Sequence, residues 1–241
     1  MKNLLSLIAL LASSLFVNAQ CNDLFFSEYI EGSSNNKALE IYNPTAATVD
    51  LSDYRIHRNS NGSATSSGNT VLNGLLAPGD VYVGTNSQAS IANITAQSDT
   101  TSGVVSFNGD DAVWLEKIST GDTLDIIGVL GVDPGSFWPV DTGSTVNYTL
   151  IRKIGVQTGQ VDWTIGATEW DVYAQDMADS LGAHSMTPCG ITCTNTTASI
   201  FESACESYTA PSGIVYTTTG TYNDTILNVA GCDSIITITL Q

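Results

Sequence analysis

Apolar and polar residues alternate along this chain in many short runs, and turn-forming residues separate the runs. Leu24 to Ile30 is rich in aromatics with partial alternation, which predicts a strand. The polar cluster Glu31 to Asn36 then turns the chain, and Ala38 to Tyr42 predicts a second strand that stops at Asn43-Pro44. Asp53 to Arg58 reads as a third, with Tyr54 and Ile56 on one face. Ala77-Pro78-Gly79-Asp80 is a turn feeding Val81 to Val83. Val104 to Phe107 and Ala112 to Leu115 flank Asn108-Gly109, a pair that tolerates the positive φ of tight turns, so this stretch predicts a hairpin. Thr123 to Val129 and Thr149 to Ile154 predict further strands, and Trp163 and Trp170 to Tyr173 complete this part. Ser87 to Ala96 is the one central segment that reads as a short helix. Strands this frequent, with turns between them, imply an all-β antiparallel sandwich rather than βαβ units.

The pattern changes near residue 188. Thr187 to Thr197 is polar and carries Pro188 and Gly190. We therefore assign residues 20–188 to the main domain, 189–203 to a linker and 204–241 to a small β module. In the module Ile236, Ile238 and Leu240 alternate with threonines, as in a half-buried strand. So short a module has a thin core and needs a disulfide or a neighbour.

The first nineteen residues stand apart. Lys2, the apolar run from Leu4 to Val17, and Val17-Asn18-Ala19 form the three parts of a cleaved export signal, with the mature chain starting at Gln20 or Cys21. The apolar run is shorter than the roughly 20 residues that span a bilayer, and no later stretch is long and apolar enough. Gln20, which is not small, argues against a lipid on Cys21. The expected location is extracellular, either free or at the cell surface.

Composition narrows the function classes. The chain has 24 Asp+Glu against 7 Lys+Arg, and cleavage after Ala19 removes Lys2. So acidic a surface repels phosphate backbones and excludes direct nucleic-acid binding through a basic patch. Thr, Ser, Asn and Gly abound, yet 42% of residues are hydrophobic, enough for a core.

All five cysteines, Cys21, Cys189, Cys193, Cys205 and Cys232, follow the cleavage point, and an exported protein can keep disulfides. Cys205 with Cys232 would close the small module. Cys21 with Cys189 would tie the ends of the main domain, and Cys21 with Cys193 is the alternative. No Cys-x-x-Cys is present, and neither His57 nor His184 sits at zinc-ligand spacing from a cysteine pair.

Nor does the chain carry Gly-x-Ser-x-Gly, His-Glu-x-x-His, a phosphate-binding glycine loop with Lys, or an Asp-rich calcium loop. The best candidates for chemistry are Glu28, Glu31, Asp110 and Asp111. If their turns meet at one end of the sandwich, these carboxylates with loop carbonyls would hold calcium, the one cofactor the sequence suggests. The competing expectation is that Asp110 and Asp111 shape a turn while Glu28 and Glu40 pair with Lys37 or an arginine. Of the four tryptophans, Trp138 in Gly135-Ser136-Phe137-Trp138-Pro139 reads as a loop residue, and so as the candidate for ligand stacking. Trp114, Trp163 and Trp170 read as core.

One segment is specific enough to carry a resemblance. Leu24-Phe25-Phe26-Ser27-Glu28-Tyr29-Ile30-Glu31-Gly32-Ser33-Ser34-Asn35-Asn36-Lys37-Ala38-Leu39-Glu40-Ile41-Tyr42-Asn43-Pro44 resembles the opening of a bacterial lamin-tail domain. Further matching stretches follow in order: Val49 to Tyr54, Leu76 to Val83, Phe107 to Val113, Asp125 to Gly128, and Glu169-Trp170. The resemblance implies an immunoglobulin-like β-sandwich over about residues 22 to 185. The tail is similar to a short adhesin-like repeat, through Ala204 to Tyr208, Thr219 to Thr225 and Ala230 to Ile235. Only one copy is present, where such proteins carry several, which suggests a shortened architecture.

In function the resemblance implies a secreted, non-catalytic protein that binds or tethers. Its partner would be an extracellular or cell-surface protein or glycan. The alternative is a metal-dependent extracellular hydrolase or nuclease accessory protein, because such domains sit beside secreted hydrolases.

Overall fold

The computed structural model describes residues 21–189, 196–204, 206–227 and 233–241. The expected export signal lies outside the described residues, as do Cys193, Cys205 and Cys232 and with them the expected Cys205–Cys232 bond. The chain divides into two compact units at Cys189 and Gly190.

The first unit opens with β1 (Phe25–Glu31), β2 (Lys37–Tyr42), β3 (Val49–Asp50), β4 (Tyr54–Asn59), β5 (Gly68–Val71), β6 (Leu75–Leu76) and β7 (Val81–Thr85). After α1 (Ala92–Ala96) come β8 (Thr100–Thr101), β9 (Ala112–Lys117), β10 (Asp122–Ile127), β11 (Pro139–Val140), β12 (Gly143–Ser144) and β13 (Tyr148–Arg152). The unit closes with α2 (Trp163–Gly166) and β14 (Trp170–Ala174). Two sheets form the sandwich: one in the order β14-β13-β1-β2-β7-β8, the other β10-β9-β4-β5. All pairings in both are antiparallel except β7 with the two-residue β8. The result is an immunoglobulin-like sandwich, as expected.

Between the sheets lies the main core. Phe26, Tyr29, Leu39, Ile41, Leu150 and Trp170 from one sheet meet Tyr54, Ile56, Val113, Leu115 and Ile127 from the other. Each such side chain contributes roughly 1.5–3 kcal/mol by leaving water. Alternation in β1 is only partial because all seven of its residues are buried. Its outward face is itself covered: Ile30, Ala38 and Val83 pack under Ile94 of α1 and under Ala178 and Leu181 of the strap over residues 175–189 that follows β14. A bulge between Phe26 and Glu28 adjusts the register, so Phe26 and Ile41 face the core while Glu28 and Glu40 pair on the covered face.

The hairpin expected at Asn108-Gly109 is not formed. Val104 to Phe107 is irregular, and Val104, Val105 and Phe107 go into the core. Gly109 does adopt φ +98°, but the requirement is local: a Cβ there would lie 2.5 Å from the Val146 Cβ. The real hairpin is β9–β10, turned at Gly121, whose N–H donates to the Lys117 carbonyl at 2.8 Å. Asp53 holds that turn by accepting the Ser119 N–H and hydroxyl, at 2.7 and 2.6 Å. The expected helix over Ser87 to Ala96 is confined to Ala92–Ala96.

The second unit is a three-stranded sheet, a two-residue hairpin and a small core. Its strands are β15 (Thr196–Glu202), β16 (Tyr208–Thr209), β17 (Val215–Tyr216), β18 (Gly220–Leu227) and β19 (Asp233–Leu240). Here the expected linker over 189–203 needs correcting, because Thr196–Glu202 is a strand that runs parallel to β19 through seven register pairs. The polar composition hid a period of two, in which Ala198 and Ile200 share the face of Ile236 and Ile238 while Thr197 and Ser199 face away.

Candidate functional site

The four nominated carboxylates do not form one ligand set. Glu31 ends β1, where Lys37 at the start of β2 stands directly opposite and pairs with it. Its second oxygen accepts the backbone N–H of Asn147 at 2.5 Å. Asp111 lies 3.8 Å from the Arg58 guanidinium and accepts the Asn61 N–H at 3.2 Å. Asp110 is its half-buried neighbour. Burial pushes the Tyr29 phenol well above its ordinary value, and Glu31, Asp111 and Asp110 add to the effect, so three of the four acids gather around one end of Tyr29. There the chain's own Lys37 and Arg58 supply the positive charge. Among the described residues, no three His, Cys, Asp or Glu side chains are grouped to hold a metal.

Glu28 is on the opposite face of the sheet. It pairs across strands with Glu40, and the two are 1% and 0% exposed. The expectation that Lys37 or an arginine neutralises them is not met. Glu40 instead accepts the Ser27 hydroxyl and the Gly182 N–H, both at 2.7 Å. Burial raises the Glu40 carboxyl, with Asp99 adding to the rise and those two hydrogen bonds opposing it. Burial pushes Glu28 up to about 8, against a lowering by the Ser180 hydroxyl and a further rise from Glu40. Glu28 is therefore mostly protonated at neutral pH. The pair fastens the strap at Ser180 and Gly182 over the outer face of the sheet.

The same strap brings His184 edge-on to Phe25 and Tyr42, with ring centroids 6.0 and 5.0 Å away. Burial, then the nearby Arg152, lowers this imidazole to about 4, so it is neutral near pH 7. The strap ends at Cys189, which is disulfide-bonded to Cys21, with Cα atoms 6.0 Å apart. The bond closes the unit just ahead of its first strand.

Two polar arrays escaped the sequence reading. Arg152 and Asp125 are both fully buried, and the Arg152 Nη2 donates to both Asp125 oxygens at 2.9 Å. Asp125 also accepts the N–H groups of Phe26 and Gln160, so one carboxylate stitches both sheets and the loop before α2. The guanidinium lies 4.5 Å over the Trp170 ring. The other array is on the outer face of the second sheet. His57 stacks on Trp114 at 3.9 Å, its Nε2 lies 2.8 Å from Glu116, and its Nδ1 lies 3.1 Å from Ser66 Oγ. This has the outline of a nucleophile, a base and an orienting acid. However, Ser66 Oγ is also 2.8 Å from the Gly68 carbonyl, which can only accept, so the hydroxyl hydrogen is committed there. The array holds the loop over 60–67 rather than activating an oxygen.

Trp138 is the clearest correction among the nominated residues. It is 7% exposed and joins the main core, where its indole packs against Gly128 at φ +91°. No ring face is open to a ligand. Its loop position gave the wrong impression because the β11–β12 arm folds the segment inward: the Trp138 N–H donates to Thr145 Oγ1 at 2.9 Å.

Residues 18–131 match the family model described as Lamin Tail Domain. Over that stretch the first unit is similar to a lamin tail domain. No curated protein and no solved structure matches the chain. The match ends after β10, yet the sandwich needs β13, which pairs with β1 within the six-stranded sheet. The part beyond the match thus supplies Arg152, the strap and Cys189. No helix among the described residues is long and apolar enough to cross a membrane.

Proposed function

We propose that this is an exported, non-catalytic binding protein in which a disulfide-closed lamin tail domain serves as a rigid carrier. The disposition of its charges carries this reading. Every Lys and Arg after the leader is engaged within the fold: Lys37 with Glu31, Arg55 with Glu116, Arg58 with Asp111, Lys117 with Asp23, and Arg152 with Asp125. The sixth, Lys153, donates to the Thr168 carbonyl. The side chains that could have done acid–base or electrophilic work hold strands and turns together instead. The Cys21–Cys189 bond supports export, because such bonds persist in oxidising compartments. With its sulfur in that bond, Cys21 has no thiol left for a lipid thioether. Tethering at the cell exterior, with an adhesin-like second unit making the contact, completes the proposal.

Two experiments on the full mature chain test it. Incubation with DNA and with phosphoesters, in Mg²⁺, Mn²⁺, Ca²⁺ or Zn²⁺, is expected to give no turnover. Metal-dependent turnover lost on mutating a residue of this chain would overturn the non-catalytic reading. Fractionation of cells expressing the gene is expected to place the chain outside the cytoplasm, and its retention there in reduced form would overturn export.

A further inference from the structure

The sheet of the second unit has two unlike faces. Ile236, Ile238 and Ile200 line the inner face. The register puts three rows on the outer one: Phe201–Thr239–Thr221, Ser199–Thr237–Asn223, and Thr197–Ile235–Thr225. None of these nine side chains is charged, in a chain with formal net charge −17. Phe201 is 79% exposed on an edge strand, where unpaired strands usually carry Lys or Pro. Beside the ring is a notch of about 160 Å³ lined by Phe201, Glu202, Ser203, Thr239 and Gln241.

We propose that this face binds a neutral polysaccharide chain laid across the strands, with one sugar stacked on Phe201 beside the notch. An exposed aromatic ring offers an apolar plate for the C–H face of a pyranose. The surrounding hydroxyls both donate and accept, as sugar hydroxyls do. They stand about 4.8 Å apart across strands and roughly 6.7 Å along them, and β-branched threonines hold their rotamers, so little order is lost on binding. The Asn223 carboxamide is also fixed, accepting from Thr237 Oγ1 at 3.2 Å. A polyanion finds nothing here, since no Lys or Arg follows residue 153. A polycation finds a single carboxylate, Glu202 at the notch, and none in the three rows. A neutral polyol chain loses nothing on either count.

The proposal deepens the extracellular binding reading and rests on it for where the glycan is met. Its test uses purified mature protein, so failure here leaves the fractionation result standing. The assay is depletion from solution by insoluble cellulose, chitin and starch, with thermal melts to confirm folding. Retention on at least one of the three is expected, unchanged by added NaCl. Phe201→Ala should weaken it about tenfold or more, while Phe201→Tyr retains it. Phe201 is solvent-exposed, so the substitution leaves the core intact. Three results would overturn the proposal: no retention on any of the polymers, retention indifferent to Phe201→Ala, or a concentration-dependent dimer that Phe201→Ala abolishes. The last would mean that a second copy covers the face.

Discussion

Replacing Glu28 with glutamine should make the sandwich more stable, and increasingly so as pH rises. Glu28 is buried opposite Glu40 with no cation, and its carboxyl is pushed from 4.5 to about 8. A group raised on folding binds its proton more tightly in the native state. Its contribution is then fully present below pH 4.5, falls as pH rises, and is lost once pH passes about 8. The whole span corresponds to roughly 5 kcal/mol, a large share of the 5–15 kcal/mol typical of a domain. By pH 7 about 3 kcal/mol of it has gone, with about 1 kcal/mol more lost by pH 9. The substituted carboxamide has nothing to ionise and fits the same space. The assay is urea unfolding of both proteins from pH 4.5 to 9.5, reading the difference in unfolding free energy, which cancels the groups common to both. That difference should move steadily in favour of Glu28→Gln and level off above pH 8. A difference constant across the range would refute the argument, because it would mean that Glu28 titrates alike in both states.

Other outcomes follow from the same contacts. Arg152→Met should cost about 3–5 kcal/mol, measured by urea unfolding, because it leaves the buried Asp125 carboxylate uncompensated. Opening the Cys21–Cys189 bond, which spans 168 residues, should cost roughly 5 kcal/mol by the loop-entropy relation, seen as a lower Tm for the Cys21→Ser/Cys189→Ser variant. Millimolar calcium should leave Tm unchanged, because Lys37 already neutralises Glu31 and Glu28 faces the other side of the sheet. A clear rise would restore the calcium site. In hydrogen exchange, the Gly182 amide should open faster above pH 8 in the parent chain than in Glu28→Gln.

The sheet architecture was readable because strands write a period of two into the chain. Tyr54 and Ile56 face the core as alternation requires, and the run from Ala38 to Tyr42 is the β2 that it predicts. Local signals failed where tertiary packing prevailed. Asn108-Gly109 has hairpin chemistry, yet Val105 and Phe107 gain more from the core than from a ladder. Thr196 to Glu202 looked like linker because Thr196, Thr197 and Ser199 outnumber the apolar residues at its start, and Ala198 and Ile200 alone mark its inner face. The site was less legible. Glu28 and Glu31 are three residues apart, but the alternation of the strand sends them to opposite faces, one to a second glutamate and the other to Lys37. Asp125 and Arg152 lie 27 residues apart on different sheets, and no periodicity announces their meeting. Trp138 misled for the opposite reason: loop-like sequence around it says nothing of an arm that folds inward.

Export and closure of the sandwich are tested most directly by peptide mapping, without reduction, of the protein recovered from outside cells that express the full chain. An N-terminus at Gln20 or Cys21 is expected, with a cross-linked peptide pair joining Cys21 to Cys189. A lipid on Cys21, a free Cys21 thiol or a Cys21–Cys193 bond would contradict a sandwich that is exported and closed just ahead of its first strand.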